Sequence, residues 1–284
     1  MKPAQVSLEP GLYLVATPIG NARDITLRAL DILASADVIA AEDTRTARKL
    51  MEIHGIAVGG RPLIPYHDHS GAQGRAGLVK LLGEGRSVAY VSEAGTPLIA
   101  DPGYALARDA AAAGHLVTTA PGASAVPAAL SLSGLPTDRY LFAGFAPSSA
   151  GARAKWLAEL VRLPATLVLF ESPKRVRETL GDLCECAGED RQAAVCRELT
   201  KKFEEVLRGS LGELRDTVAE RTLKGEIVIV VDRGTEEVAE ETMEAALRRA
   251  MEDMSLKDAA ATVAEAYGLP RRKVYQAALA LEKD

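Results

Sequence analysis

Four short runs gather side chains able to do polar chemistry: Glu42-Asp43-Thr44-Arg45, His67-Asp68-His69, Ser92-Glu93-Ala94-Gly95-Thr96-Pro97 and Ala123-Ser124-Ala125. The third sets a carboxylate and a hydroxyl beside a glycine, and glycine lets a ligand approach the backbone closely. It is expected to bind a ligand. Ser124 can cap the helix that follows it, or offer its hydroxyl and nearby N–H groups to a ligand. The His-x-His run suggests a metal in isolation, but a metal needs three or four ligands and no third is identifiable. It is read as a surface loop at Pro65–Ser70 that contacts substrate or caps a helix beginning near Ala72.

Each run sits where a strand would end. Gly11–Ala16, Asp37–Ala41, Val88–Val91 and Leu116–Ala120 are short apolar runs, each followed by a polar loop and then helical spacing. Strand, loop and helix in alternation signal a parallel sheet, whose ligands lie at the carboxyl ends of the strands. Asp24 or Thr26 is placed to cap the first helix. A second block begins near Arg139. Arg139–Gly144, Ala165–Phe170, Ala193–Glu198, Glu204–Gly209 and Ile227–Val231 read as strands, the fourth as an antiparallel partner of the third, so a mixed sheet is expected. Residues 232–241 read as an acidic linker. A helix over Thr242–Met251 follows, then Leu256–Tyr267, a glycine turn and Arg271–Leu281 with helix-turn-helix punctuation. Arg271, Arg272 and Lys273 open its second helix, where such a motif meets nucleic acid. The same pattern also suits a small helical bundle.

Several classes drop out. No Gly-x-Gly-x-x-Gly follows the first strand and no Gly-x-x-x-x-Gly-Lys-Ser/Thr occurs, which disfavours dinucleotide and P-loop sites. A net charge of −5 argues against coating nucleic acid by charge alone, though not against a local basic patch. Cys184, Cys186 and Cys196 have neither disulfide nor zinc spacing and are read as reduced thiols. No apolar run approaches a membrane span, and the first residues lack the apolar segment of a signal peptide, so the cytoplasm is expected.

TPIGN, AEDTR, HDHS, VSEAGTPLIADPG, PGASA, FESPKR, RELTK and KGE, in this order, resemble the RsmI family of ribosomal small-subunit RNA 2′-O-methyltransferases, in the tetrapyrrole methylase superfamily. Two positions depart from the usual pattern. Glu93 stands where the family loop has aspartate, which keeps the charge on a longer side chain, and Ala123 stands where the turn has proline. The resemblance implies an α/β protein of two-domain tetrapyrrole methylase-like fold, with a parallel-sheet domain over residues 1–122 and a mixed-sheet domain over 123–233. A small helical extension, helix-turn-helix-like, covers 240–284. It implies S-adenosylmethionine-dependent 2′-O-methylation of a cytidine in 16S rRNA, within the 30S subunit, by a homodimer without a resident metal.

The donor site then falls at Pro18, Glu93, Thr96, Ser124, Ala125, Glu171, Leu199, Gly209, Gly225 and Glu226. A ribose hydroxyl is a poor nucleophile, so a base or a cation beside the developing alkoxide should help. Asp43 and Glu42 are the candidate bases, Arg45 and Lys201 the electrostatic partners, and His67 or His69 a base or substrate contact. A tetrapyrrole (precorrin or uroporphyrinogen) C-methyltransferase is the alternative, and a non-enzymatic RNA-binding protein a third reading.

Overall fold

The structure, a computed structural model, describes residues 3–67, 70–234 and 237–281. Asp68 and His69 therefore lie outside the described residues, as do Thr235 and Glu236 of the expected linker.

The first unit alternates β1 (Gly11–Val15), α1 (Leu27–Ser35), β2 (Val38–Ala41), α2 (Thr44–Ile53), β3 (Leu63–Pro65), α3 (Gly71–Gly83), β4 (Ser87–Val91), α4 (Tyr104–Ala112) and β5 (Leu116–Ala120). Its five strands are parallel, in the order β3-β2-β4-β1-β5. Side chains alternate across the sheet because successive strand residues face opposite ways. Tyr13, Val15, Ile39 and Val91 meet Leu30, Leu33 and Met51 of α1 and α2 on one face. Leu12, Val38, Val88 and Tyr90 meet Leu78, Leu82 and Leu106 of α3 and α4 on the other. A strand covered on both sides reads as a continuous apolar run, as β2 and β4 do. Thr26 caps α1, its Oγ1 accepting from the Ala29 N–H, and Asp24 does not. Strand β3 escapes the sequence reading because it is three residues long and ends in proline, which only an edge position tolerates.

The second unit comprises α5 (Ala125–Ser133), β6 (Tyr140–Phe145), α6 (Ala150–Leu160), β7 (Thr166–Glu171), α7 (Val176–Ala187), β8 (Gln192–Arg197), β9 (Glu205–Ser210), α8 (Leu211–Ala219) and β10 (Ile227–Val231). Its order is β6-β7-β10-β8-β9. Only β6 and β7 pair in parallel, so the sheet is mixed. Helices α6, α7 and α8 cover one face through Leu157, Leu180, Leu183 and Leu214. The other face packs on α5 and also on Ile19, a residue of the loop after β1. That one side chain joins the first unit to the core of the second. Cys184 and Cys196 are buried and Cys186 half-buried, and burial pushes the Cys196 thiol up to about 11.

Helices α9 (Glu237–Asp253), α10 (Leu256–Tyr267) and α11 (Arg271–Leu281) pack together through Leu247, Val263, Val274 and Ala278. The first of them starts at Glu237, five residues ahead of the expected Thr242, and shortens the linker. Its opening sequence, EVAEE, is rich in strong helix formers and carries acidic residues that suit a helix N-terminus.

Candidate functional site

Strand order decides what meets here. Because β4, β1 and β5 are neighbours, the loops leaving their carboxyl ends lie side by side. Thr17 and Gly95 exchange two backbone hydrogen bonds, 2.8 and 3.0 Å, and the Thr96 hydroxyl donates to the Ala123 carbonyl at 3.0 Å. Gly95 has φ +80°, which favours glycine, and a Cβ there would lie 3.2 Å from Ile19 Cγ2, a tight contact. Ser124 occupies the N-cap of α5, yet its side chain makes no capping hydrogen bond. Its hydroxyl is left for the cleft.

These loops form one wall of a cleft of about 570 Å3, within the ordinary range for small-ligand sites of roughly 300–1,000 Å3. The second unit supplies the facing wall from Phe145, Phe170–Pro173, Lys201 and Gly225–Val228. Phe145 and Phe170 meet edge to face at 5.5 Å, a surface suited to a flat ring. The loop after β1 touches the turn after β8, where the Asn21 N–H donates to Thr200 Oγ1 at 3.1 Å.

Of the residues assigned to the donor, the cleft brings together Pro18, Glu93, Thr96, Ser124, Ala125, Glu171, Gly225 and Glu226. Two do not reach it. Leu199 is 6% exposed and packs in the core with Ile19. Gly209 pairs with Ala193, which pairs with Val231, four residues along β10 from Ile227 at the cleft. Glu171 lines the cleft with backbone alone: its side chain is 0% exposed, accepting from Thr179 Oγ1, the Ser172 N–H and the Arg175 guanidinium.

The catalytic candidates divide as well. Glu42 and Lys201 line the cleft, whereas Asp43, Arg45 and His67 stand outside it. Asp43 is the N-cap of α2, accepting from the Arg45 N–H at 2.7 Å and from the Arg45 guanidinium at 2.7 Å. Those bonds, side chain first, hold its carboxyl down at about 2, too weak a base to take a ribose proton. Arg45 itself points to solvent, its side chain 90% exposed. His67 lines a neighbouring concavity, and its N–H donates to the Ser70 hydroxyl. Glu42 accepts from the Glu93 N–H at 3.0 Å, and its other oxygen has no hydrogen-bond partner among the described residues. Asp101, which sequence reasoning passed over, also lines the cleft. The signal was present: a carboxylate in a glycine-containing loop after a buried strand.

Lys201 donates to Glu198 at 2.8 Å and to Glu226 at 2.9 Å. Burial works against its ammonium, but the two carboxylates carry its pKa above the ordinary value. Glu198 has φ +52°, and a Cβ on Gly225 would lie 2.3 Å from its carboxyl group, so only glycine admits this approach. The Lys201 hydrogen bond holds the Glu198 carboxyl below its ordinary range. A carboxylate depressed in the folded state stabilises above its unfolded pKa and stops doing so as pH falls through the folded one. Urea unfolding from about pH 6 to about pH 3 should therefore show a shallower acid loss of stability for Glu198→Gln than for the parent. Parallel curves would mean that this carboxylate adds nothing to the acid response.

Among the described residues lining the cleft, Glu42, Glu93, Asp101 and Glu226 expose carboxylates against the single cation Lys201. Such a site favours a cationic ligand with hydroxyl groups to donate. No group of three or more His, Cys, Asp or Glu among the described residues is placed to hold a metal ion. No described helix is long and apolar enough to cross a membrane. Arg271, Arg272 and Lys273 open α11 and are not among the residues that line the cleft.

Residues 11–215 match the family described as tetrapyrrole (corrin/porphyrin) methylases, and residues 236–282 match the RsmI C-terminal HTH domain. A Mesorhizobium japonicum protein named ribosomal RNA small subunit methyltransferase I is 52% identical over 225 residues, covering 79% of this chain and 76% of that protein. Its Vibrio cholerae namesake is 43% identical over 273 residues, covering 94% and 93%. Among solved structures, a cobalt precorrin-4 methyltransferase superposes with TM-score 0.58 at 19% identity, covering 78% of this chain and 94% of that one. A Thermus thermophilus uroporphyrin-III C-methyltransferase complexed with S-adenyl homocysteine gives 0.55 at 18%, covering 81% and 99%.

Proposed function

We propose the reaction from one premise: this chain belongs to the family of tetrapyrrole methylases and, within it, to the ribosomal RNA small subunit methyltransferases I. It transfers a methyl group from S-adenosylmethionine to the 2′-hydroxyl of a cytidine in 16S rRNA. The observation that carries the RNA substrate over a tetrapyrrole is the C-terminal module. Residues 236–282 match an RsmI module, while the two tetrapyrrole methyltransferases, matched over 94% and 99% of their own length, cover only 78% and 81% of this chain. In this reading the α/β units divide near residue 122, and Arg271, Arg272 and Lys273 meet RNA phosphates.

The residues present fit the donor. Its ribose hydroxyls suit Asp101 and Glu93, its adenine the Phe145–Phe170 surface and the small residues Gly95 and Ala125, and its ammonium the Glu226 carboxylate. S-adenosylmethionine, when bound, supplies a methyl group on a sulfonium that already carries its leaving group. What the chain must add is alignment and a place for the ribose proton. Glu42 takes that proton, and Lys201, held by two carboxylates, sits where developing negative charge can be offset. The protein acts as a cytoplasmic homodimer on the 30S subunit.

A transfer assay with labelled S-adenosylmethionine checks this. Purified 30S subunits lacking the modification, free rRNA and uroporphyrinogen are offered in parallel. Label on a cytidine ribose in 30S subunits is the expected result. Label on the tetrapyrrole would overturn the substrate, and label on a base rather than a ribose would overturn the position.

A further inference from the structure

Beside the cleft lies a second concavity of about 280 Å3, and the two share Asp101 as a common wall. We propose that it seats an unpaired nucleobase of the acceptor RNA, stacked on Tyr104. This rests on the RNA reading above and specifies how that RNA is held.

Tyr104 is the first residue of α4 and is 67% exposed, so its ring is open to a ligand. The backbone fixes where it stands. Gly103 precedes it at φ +118°, and a Cβ there would come 2.6 Å from the Tyr90 ring. The Tyr90 hydroxyl donates to the Pro102 carbonyl at 2.9 Å, so the segment is anchored on a fully buried side chain. Positive φ at Leu98 and Ala100 adds strain just upstream, and such strain clusters at ligand sites.

The groups around the ring suit one occupant. The Arg108 guanidinium lies over one face of the Tyr104 ring, 5.9 Å from its centroid. Asp109 binds both Arg108 and Arg75, at 2.8 and 2.5 Å, and so holds two guanidinium groups in place near the ring. An exposed ring with guanidinium groups held near it is an arrangement that holds single-stranded nucleic acid: the ring stacks on a base and a cation meets a phosphate. A base held there places its own or its neighbour's ribose at the Asp101 wall, next to the cleft. A duplex cannot enter, because its bases are stacked on one another, so the target must be splayed out or already single-stranded.

The test measures steady-state methylation of unmodified 30S subunits by the full chain and by Tyr104→Ala, Tyr104→Phe and Tyr104→Trp. Donor affinity is measured alongside by calorimetry, and sedimentation is recorded for each. Tyr104→Ala should raise the KM for 30S subunits roughly ten-fold or more, in line with losing one stacked base. Donor affinity and sedimentation should stay as in the parent, and Phe and Trp, which keep a π-face, should restore the KM. An unchanged KM in Tyr104→Ala would overturn the proposal. So would a loss that Phe or Trp fails to rescue, or one accompanied by weaker donor binding or altered sedimentation, which would mark a structural or dimer contact. If the parent itself transfers no label to RNA, the RNA reading fails and this proposal falls with it. Transfer by the parent with an unaffected alanine variant sinks this proposal alone.

Discussion

Replacing Glu42 by Gln is expected to lower single-turnover methyl transfer by roughly 100-fold or more at saturating donor and RNA, the scale of a general base. Asp43→Asn, one residue away, should transfer at close to the parent rate. The contrast follows from what each carboxylate touches. Asp43 is the cap of α2, clasped by Arg45 through backbone and guanidinium, with its carboxyl held at about 2. Asparagine caps as well as aspartate, so that variant keeps its helix. Glu42 lines the cleft, is positioned by the Glu93 N–H, and keeps one oxygen without a hydrogen-bond partner among the described residues. Glutamine preserves its size and its bond to Glu93 but cannot take a proton. Calorimetric donor binding should be unchanged in both, which separates a lost proton acceptor from a damaged site. Full transfer by Glu42→Gln would remove it as the base.

The largest stability effect is expected at Glu171. Its side chain, 0% exposed, accepts 2.7 Å hydrogen bonds from Thr179 Oγ1, the Ser172 N–H and Arg175. Arg175 in turn donates to the Ala146 carbonyl at 3.0 Å, next to Phe145 at the cleft mouth. Truncation to alanine leaves the buried Thr179 hydroxyl and the Arg175 charge without their acceptor. Removing one partner of a fully buried pair costs about 3–5 kcal/mol. Arg175 keeps 25% of its side chain in water and can turn outward, so about 3 kcal/mol is expected for Glu171→Ala in urea unfolding. Glu171→Gln, which still accepts from Thr179, should cost less than half of that. Donor affinity should fall in the alanine variant, because both segments that Arg175 ties together line the cleft. A loss below about 1 kcal/mol, no more than an ordinary hydrogen bond, would mean that this network holds nothing together.

Much of this architecture is local, and the sequence carries it. Apolar runs of about five residues, polar exits and helical spacing place nine of the strands within a residue or so of their observed bounds. The antiparallel partnership of β8 and β9 follows from the short connection between them. The candidate site was legible to the same depth: strand exits, small residues and carboxylates marked the loops that build the cleft. The resemblance to the RsmI family supplied the donor and the reaction, which no spacing could.

What the tertiary structure alone decided is which side of each loop faces the ligand. Glu42 and Asp43 are adjacent in the chain, and the Glu93 N–H, reaching across from the loop after β4, holds the side chain of the first, which lines the cleft. Leu199 and Gly209 carry donor-site positions in sequence but fall in the core and at the far end of β9, because the register of β8 against β10 sets which strand end reaches the cleft. Asp101 enters through the fold of its loop, and Glu171 withdraws into a buried pair. Neighbouring residues fix backbone preference over a few ångströms. The cleft is closed by contacts such as Asn21 with Thr200, 179 residues apart, and no local preference encodes those.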